Sequence, residues 1–480
     1  MKQAYLMVDI GTGNARVGVV SDIAEVLAVQ TCNTVFVRDE LYSDAWFFDP
    51  EQLWKDICGL VQRVLAALQE PVHLMAVTAT SARESIVLLD ETMHAFAALP
   101  NIDNRGLDYL NQIQNSDMIY RKTGRWVSPV FSAMKLVGLR EKRQELYKRV
   151  YRITSISDWI GYQMTGVLRY EYSQACETQL LDIQTLNWSE TLCEAFHLDK
   201  SMLPPLVEAG SCLGEVKKDL CQMLHLPEKL PYIVGAADTQ VAALGVQAGA
   251  GDLVLVSGTT SPVVRVMDTP LYDEKKRCWI DCHTKRGTYL LESNAGVSGL
   301  NYQRMKALFF TNDSYEDLDY EMKKRADDRV LASFGTLIFQ ENRSLYRGGF
   351  LMQAPLAADV DRFDFARAVA MDIAFSIYCN IRNQFEIFDQ KAPCFLGCGG
   401  GLQSEFIAQM ISTLSDLPLL LPEHYSQASL LGCAFLCMQA LGKERPKRKI
   451  CKQFTPEVNR EALLERFEIW KDYRICINAK

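Results

Sequence analysis

Two segments of this 480-residue chain repeat one local device, and that repetition limits the folds open to it. In the first, the apolar run at residues 4–9 meets Gly11-Thr12-Gly13 and returns over residues 16–20. In the second, residues 253–256 meet Ser257-Gly258-Thr259-Thr260 and return over residues 262–266. Each reads as a hairpin closed by a small-residue turn. Each also opens a stretch in which strand-like runs alternate with helical periodicity, the pattern of an α/β domain. Residues 53–68 carry Leu53, Ile57, Leu60, Val64, Leu65 and Leu68 at helical spacing, and residues 73–79 and 86–89 read as strands around a polar loop. A chain of this length exceeds what one hydrophobic core serves. The expectation is two copies of one α/β topology, at residues 1–235 and 236–480, with a strand over 232–236 running into Ala237-Asp238.

The formal net charge is −8 and the Lys and Arg residues are scattered, which leaves no electrostatic footprint for nucleic acid or anionic lipid. No apolar run approaches the roughly 18–20 residues that cross a bilayer. The first strand begins too early to leave room for a signal peptide, so a cytoplasmic enzyme is expected. The fifteen cysteines then read as reduced and mostly buried. The groups Cys278/Cys282/His283, Cys394/Cys398 and Cys433/Cys437 lack the tandem spacing of structural zinc.

Asp9-Ile10-Gly11-Thr12-Gly13 sets a carboxylate at a strand end beside a glycine turn whose N–H groups suit an anion. Asp9 is placed to hold Mg²⁺ through water, though a plain hairpin with a capping Asp would look the same. Ser257-Gly258-Thr259 offers a second turn of this kind, so a polyphosphate gripped from two sides is expected. Gly399-Gly400-Gly401 lets a flat base lie on bare backbone, or makes a tight strand–helix turn. The dinucleotide fingerprint fails at Leu402, and no G-x-x-x-x-G-K-[ST] loop occurs. Asp238, at a strand end, is placed to take a proton from an alcohol, or to cap a helix over residues 240–245.

In this order, DIGTGNAR, GAADTQVAALG, SGTTS and GCGGGLQSEFIAQMISTLSDLPL resemble the FGGY carbohydrate kinases of the actin/hexokinase/Hsp70 superfamily. The resemblance implies an α/β protein of two ribonuclease-H-like domains, with ATP, Mg²⁺ and a small sugar or polyol meeting in the cleft between them. By the same resemblance Asp238 is the catalytic base. Gly11, Thr12, Gly13 and Arg16 form the first ATP-binding motif, Ser257, Gly258 and Thr259 the second, and Gly400, Gly401 and Ser404 the adenosine motif. The aromatic residue usual three positions after Ser404 is Ile407 here.

On the acceptor side, Arg83 and Glu84 are expected to chelate hydroxyls, with Asp103 and Thr239 as further contacts. A loop salt bridge, or a capping box of Ser81 with Glu84, is the structural alternative. Glycerol kinases carry a similar Gln-Arg-Glu and autoinducer-2 kinases a Met-Arg-Glu, whereas xylulose kinases usually have a Met/Gln-His pair. Asn101-Ile102-Asp103-Asn104-Arg105 and Ile156-Ser157-Asp158-Trp159 lean toward autoinducer-2 kinases. Val130 and Thr239 depart from glycerol kinases, while the SGTTS turn departs from autoinducer-2 kinases. The acceptor is therefore expected to be a short open-chain sugar or polyol. A glycerol- or pentulose-type kinase, a non-kinase ATPase of the superfamily and a homodimeric assembly all stay open.

Overall fold

The computed structural model describes residues 1–325, 329–336, 345, 347–388 and 392–478. Both halves build the same sheet. In the first half the strands Lys2–Ile10, Asn14–Ser21, Val26–Asn33, Val72–Ser81 and Pro231–Ile233, counted along the chain, lie in the order 3-2-1-4-5. The first three pair antiparallel, and the fourth and fifth join parallel. In the second half Leu253–Val256, Thr260–Met267, Tyr289–Val297, Phe395–Cys398 and Leu419–Pro422 repeat that order and those directions. The expected duplication thus extends from two turns to two complete sheets. Cys212–Glu215 edges the first, and Trp279–Cys282 and Ile450–Phe454 edge the second.

The central strands are buried nearly throughout because helices cover both faces. One face of the first sheet takes the helix Pro50–Ala66, N-capped by Asp49, with Leu53, Ile57, Leu60, Val61 and Val64 buried. The other face takes Asp238–Gly245 and Ala428–Ala440, whose Val241, Leu244, Leu430 and Phe435 pack with Tyr5, Met7, Val20, Ala76 and Ile233. A single cut at residue 235 therefore does not separate two cores. A helix from near the C-terminus completes the first half.

These two helices cross at almost bare backbone. A Cβ on Gly432 would come within 1.8 Å of the Val241 carbonyl oxygen, and one on Gly245 within 1.9 Å of that of Ala428. Between the fourth and fifth strands of the first half, a small sheet (Ala95–Leu99, Ile86–Leu89, Arg152–Thr154) and several helices are inserted. Their Ile119, Leu136 and Ile183 share a core with Met267, Ile280 and Leu291, so the insertion rests on the second sheet's edge.

Local differences from the sequence reading are small. The fifth strand is shorter than expected, and the helix after it begins at Asp238. The basic stretch 442–452 runs into the edge strand Ile450–Phe454. The final helix Arg460–Asn478 buries Leu463, Phe467 and Trp470, which helical spacing sets on one face. Among the described residues no helix is long and apolar enough to cross a membrane.

Replacing Gly432 with Ala should force the two helices apart and lower stability by about 1–3 kcal/mol, the usual cost of overpacking. Gly442→Ala would meet nothing within 4 Å, although its φ of +68° adds local strain. Chemical denaturation of both variants checks this, with Gly432→Ala expected to be the worse.

Candidate active site

The first hairpin pairs Asp9 with Arg16 across the turn. Arg16 donates from Nε and Nη2 to Asp9 Oδ2 at 2.8 and 2.6 Å, and from Nη1 to Gln427 Oε1 at 3.1 Å. Ser429 Oγ donates to the same Asp9 oxygen at 2.7 Å. Oδ2 is thus saturated, while Oδ1 has no protein donor among the described residues. Arg16, expected at ATP, instead ties the turn to the start of the helix Ala428–Ala440. Thr12 Oγ1 accepts from Asn101 Nδ2 at 2.9 Å, which brings the 101–105 loop to the turn.

The second turn and the glycine run are packed together. Gly401 N donates to Ser257 O at 2.9 Å, and Ser257 N to Cys398 O at 2.7 Å. A Cβ on Gly399 would lie 2.1 Å from Ser257 O, and one on Gly401 would lie 2.3 Å from its hydroxyl. Those two glycines serve the packing. At Gly13 and Gly400 an added Cβ meets nothing within 4 Å, so their backbones border open space. Ser404 is committed elsewhere: its hydroxyl N-caps Glu405–Ser415, accepting from Ile407 N, and donates to Asp319. The hydrogen bonds of its hydroxyl are structural ones, made to its own helix and to Asp319.

Asp238 opens its helix rather than capping it, because Ala237 is the N-cap residue. Ala237 N donates to Ser173 Oγ at 2.9 Å, and Thr80 Oγ1 donates to Ala236 O at 2.6 Å, so the approach to Asp238 is pinned to the first sheet. Its carboxylate accepts from Thr239 N at 2.6 Å and Thr239 Oγ1 at 3.3 Å. Burial raises this carboxyl, the Arg83 guanidinium opposes that, and Asp9 adds to it, leaving a pKa of about 6. Asp9 pairs with Thr80 across the parallel strands and Ser81 bridges Ala237, so Asp9, Asp238 and Arg83 leave the same sheet end.

The 80–84 loop leaves its strand without starting a helix, so the capping box does not form. Glu84 sits at φ 60°, strained for a residue with a side chain. It is 9% exposed, and no protein donor reaches its carboxyl among the described residues. Burial first, then Glu177, pushes it to about 8 against the pull of Arg83 and Lys135. Arg83 is already engaged, donating from Nη1 and Nη2 to Glu292 at 2.6 and 2.9 Å. Burial alone would raise Glu292, yet Arg83 outweighs it and the net shift is downward. The salt-bridge alternative for Arg83 is thus the observed one, with a partner from the other half of the chain. Asp103 is also corrected. It is wholly buried, accepting from Trp46 N and from Arg105 Nε, each at 2.8 Å, and it braces its own loop.

A model of the FGGY family of carbohydrate kinases, N-terminal domain, matches residues 4–245. The chain belongs to that family. It is 40% identical over 438 residues to the putative sugar kinase YoaC of Bacillus subtilis (strain 168), covering 91% of this chain and 90% of the relative. The autoinducer-2 kinase of Escherichia coli (strain K12) is 26% identical over 456 residues, covering 90% and 85%. The ligand-bound xylulose kinase from Lactobacillus acidophilus shares the fold at a TM-score of 0.87 and 19% identity, covering 100% and 99%. The protein is accordingly an ATP-dependent sugar kinase of the FGGY family.

Sequence reasoning missed the groups around Arg83 in this kinase. Arg125 donates to both oxygens of Glu177, to Asp281 and, at 3.4 Å, to Cys176 Sγ. All five residues are buried together with Glu292. Lys135 Nζ donates to the carbonyls of Glu84 and Pro100, each at 2.7 Å. A signal was present: Asp281 and Glu292 are charges inside strands, Trp279–Cys282 and Tyr289–Val297, that are buried almost throughout. Cys176, Glu177 and Asp281 converge as metal ligands would, but the Arg125 guanidinium fills that role.

Arg83→Met leaves Glu292 buried without its bidentate partner, so stability should fall by about 3–5 kcal/mol. Adding Glu292→Met should recover most of it. Urea unfolding of the two single variants and the double variant tests the coupling, and additive losses would contradict it.

Proposed function

We propose that this kinase transfers the γ-phosphate of ATP to a hydroxyl, a terminal one, of a small open-chain sugar or polyol. The observation that carries the proposal is the convergence of Asp9, Asp238 and the 80–84 loop at one sheet end, where Asp9 pairs with Thr80 and Ser81 bridges Ala237. Phosphoryl transfer asks the protein for positioning and charge neutralisation more than for covalent chemistry. The turns Gly11-Thr12-Gly13 and Ser257-Gly258-Thr259 offer backbone N–H groups to the phosphates, and Gly400 borders open space suited to adenosine, with Gly401 packed behind it. The open Oδ1 of Asp9 suits Mg²⁺ held through water, and that ion would neutralise phosphate charge. Asp238 accepts the acceptor's proton, with Thr239 fixing its carboxylate. Glu84, buried and without a protein donor, is suited to bind acceptor hydroxyls, and an autoinducer-2-like compound belongs to the same class. Reliance on ATP and the absence of a disulfide among fifteen free cysteines support a cytoplasmic setting.

ADP release measured with and without polyols, ketoses and dihydroxypentanedione tests the proposal. Strong stimulation by one of these acceptors supports it, whereas acceptor-independent turnover supports a non-kinase ATPase of the superfamily.

Asp238→Asn should lower turnover by about 10²–10⁴-fold with ATP still bound, as loss of a positioned base does. A base raised to about 6 works only when ionised. The wild-type kcat/KM should therefore fall about tenfold per pH unit below that value and level off above it. Glu84→Gln should raise the acceptor KM by roughly 10-fold above pH 8, where Glu84 is ionised, and by less below it, with ATP KM within a few-fold. Separate titrations of acceptor and ATP check both variants.

A further inference from the structure

The turn at Gly11-Thr12-Gly13 carries donors that the rest of the protein leaves uncommitted. Among the described residues the N–H groups of Thr12 and Gly13 reach no acceptor, and the Thr12 hydroxyl gives its own hydrogen to none. That hydroxyl is nevertheless held. Asn101 Nδ2 donates to Thr12 Oγ1 at 2.9 Å, from a loop 89 positions further along the chain. A hydroxyl has one hydrogen and two lone pairs, so a donor placed on its oxygen takes a lone pair and turns the hydrogen elsewhere. The matching turn of the second half is built differently. Its backbone is bonded, Ser298 N to Thr259 O at 3.1 Å, but no donor reaches the hydroxyls of Thr259 and Thr260 among the described residues.

Asn101 is itself braced from both sides. Pro100 O accepts from Lys135 Nζ at 2.7 Å and from Asp103 N at 3.0 Å. Beyond it, Asn104 N donates to Asp44 O at 3.0 Å, and Asp103 accepts from Trp46 N. Lys135 Nζ also donates to Glu84 O at 2.7 Å, so the loop of Asn101 and the 80–84 loop hang on one buried ammonium. The amide thus arrives at Thr12 in a fixed orientation, as a group that sets another group's geometry must. Both Asn101 and Thr12 are half-buried, so water could satisfy either one and folding alone does not call for their bond.

Resting on the reading of Gly11-Thr12-Gly13 as a phosphate turn, we infer that Asn101 is a positioning residue of the nucleotide site. Its amide fixes the Thr12 hydroxyl as a donor, which is offered with the N–H groups of Thr12 and Gly13 to the terminal phosphates of ATP. A hydroxyl oriented in advance has no reorganisation left to undergo when the anion arrives. Asn101 acts through Thr12 and touches neither the nucleotide nor the acceptor.

Calorimetric titration of the full chain with the magnesium complex of AMP-PNP, a nonhydrolysable ATP analogue, tests this with no acceptor present. Thr12→Val keeps the shape, removes the hydroxyl and should weaken binding by roughly 10–100-fold, one charge-assisted bond. Asn101→Leu leaves the hydroxyl without its anchor and should weaken binding by roughly 3–10-fold. The double variant should bind no worse than Thr12→Val alone, because the two groups act as one. Losses that multiply in the double variant overturn the inference. So does wild-type affinity in Asn101→Leu beside an impaired Thr12→Val, the pattern of a residue that contacts the acceptor instead; the phosphate-turn reading then stands. Wild-type affinity in Thr12→Val removes that reading and the inference with it. Thermal unfolding identifies any variant that does not fold, and Asn101→Ala, which admits water beside Thr12, then replaces Asn101→Leu with the same outcomes.

Discussion

The bond between Arg83 and Glu292 is the interaction on which the rest of the site depends. Arg83 follows the fourth strand of the first sheet, and Glu292 lies in the third strand of the second. Bringing both charges out of water is costly, and their mutual attraction only roughly offsets it. Such a pair is a poor device for stability and a good one for register, because no displaced arrangement satisfies both partners. It fixes the 80–84 loop against the opposite half. That holds Glu84 in its strained turn and sets the guanidinium close enough to Asp238 to moderate its proton affinity.

What the sequence revealed depended on how local the cause was. The hairpin turns, the helix carrying Leu53 to Val64 and the last helix were legible because backbone chemistry and periodicity act within a few residues. The two sheets were legible from their repeated opening, although their 3-2-1-4-5 order was not. Arg83 misled because its partner lies 209 positions away, and nothing near it in the chain announces that pairing. Asp103 and Ser404 misled for a different reason. Motif position showed that each lies beside the cleft, but each carboxylate or hydroxyl had already been spent on its own loop or helix end.

The duplicated sheet explains why the ligand side of the molecule is built from turns rather than side chains. In each copy the first and second strands join at the same end, and each offers a short glycine-bearing turn there. Chain-specific chemistry then enters through the insertion between the fourth and fifth strands of the first half. It contributes Arg125, Lys135 and Glu177 and leans on the second sheet's edge strands. On the proposed function, nucleotide handling would fall to the repeated scaffold and acceptor choice to the inserted part.

The helix Ala428–Ala440 has a consequence for how the chain must be made. The face of the first sheet that carries Tyr5, Met7, Val20 and Ala76 is closed by residues synthesised more than three hundred positions later. As the chain leaves the ribosome, the first half can form its strands and seat Pro50–Ala66, but its other apolar face is covered only in part, by Asp238–Gly245, until residue 440 emerges. Translation of much of the protein therefore passes with a partly open, sticky sheet face, the kind of exposure that invites misassembly and holding factors.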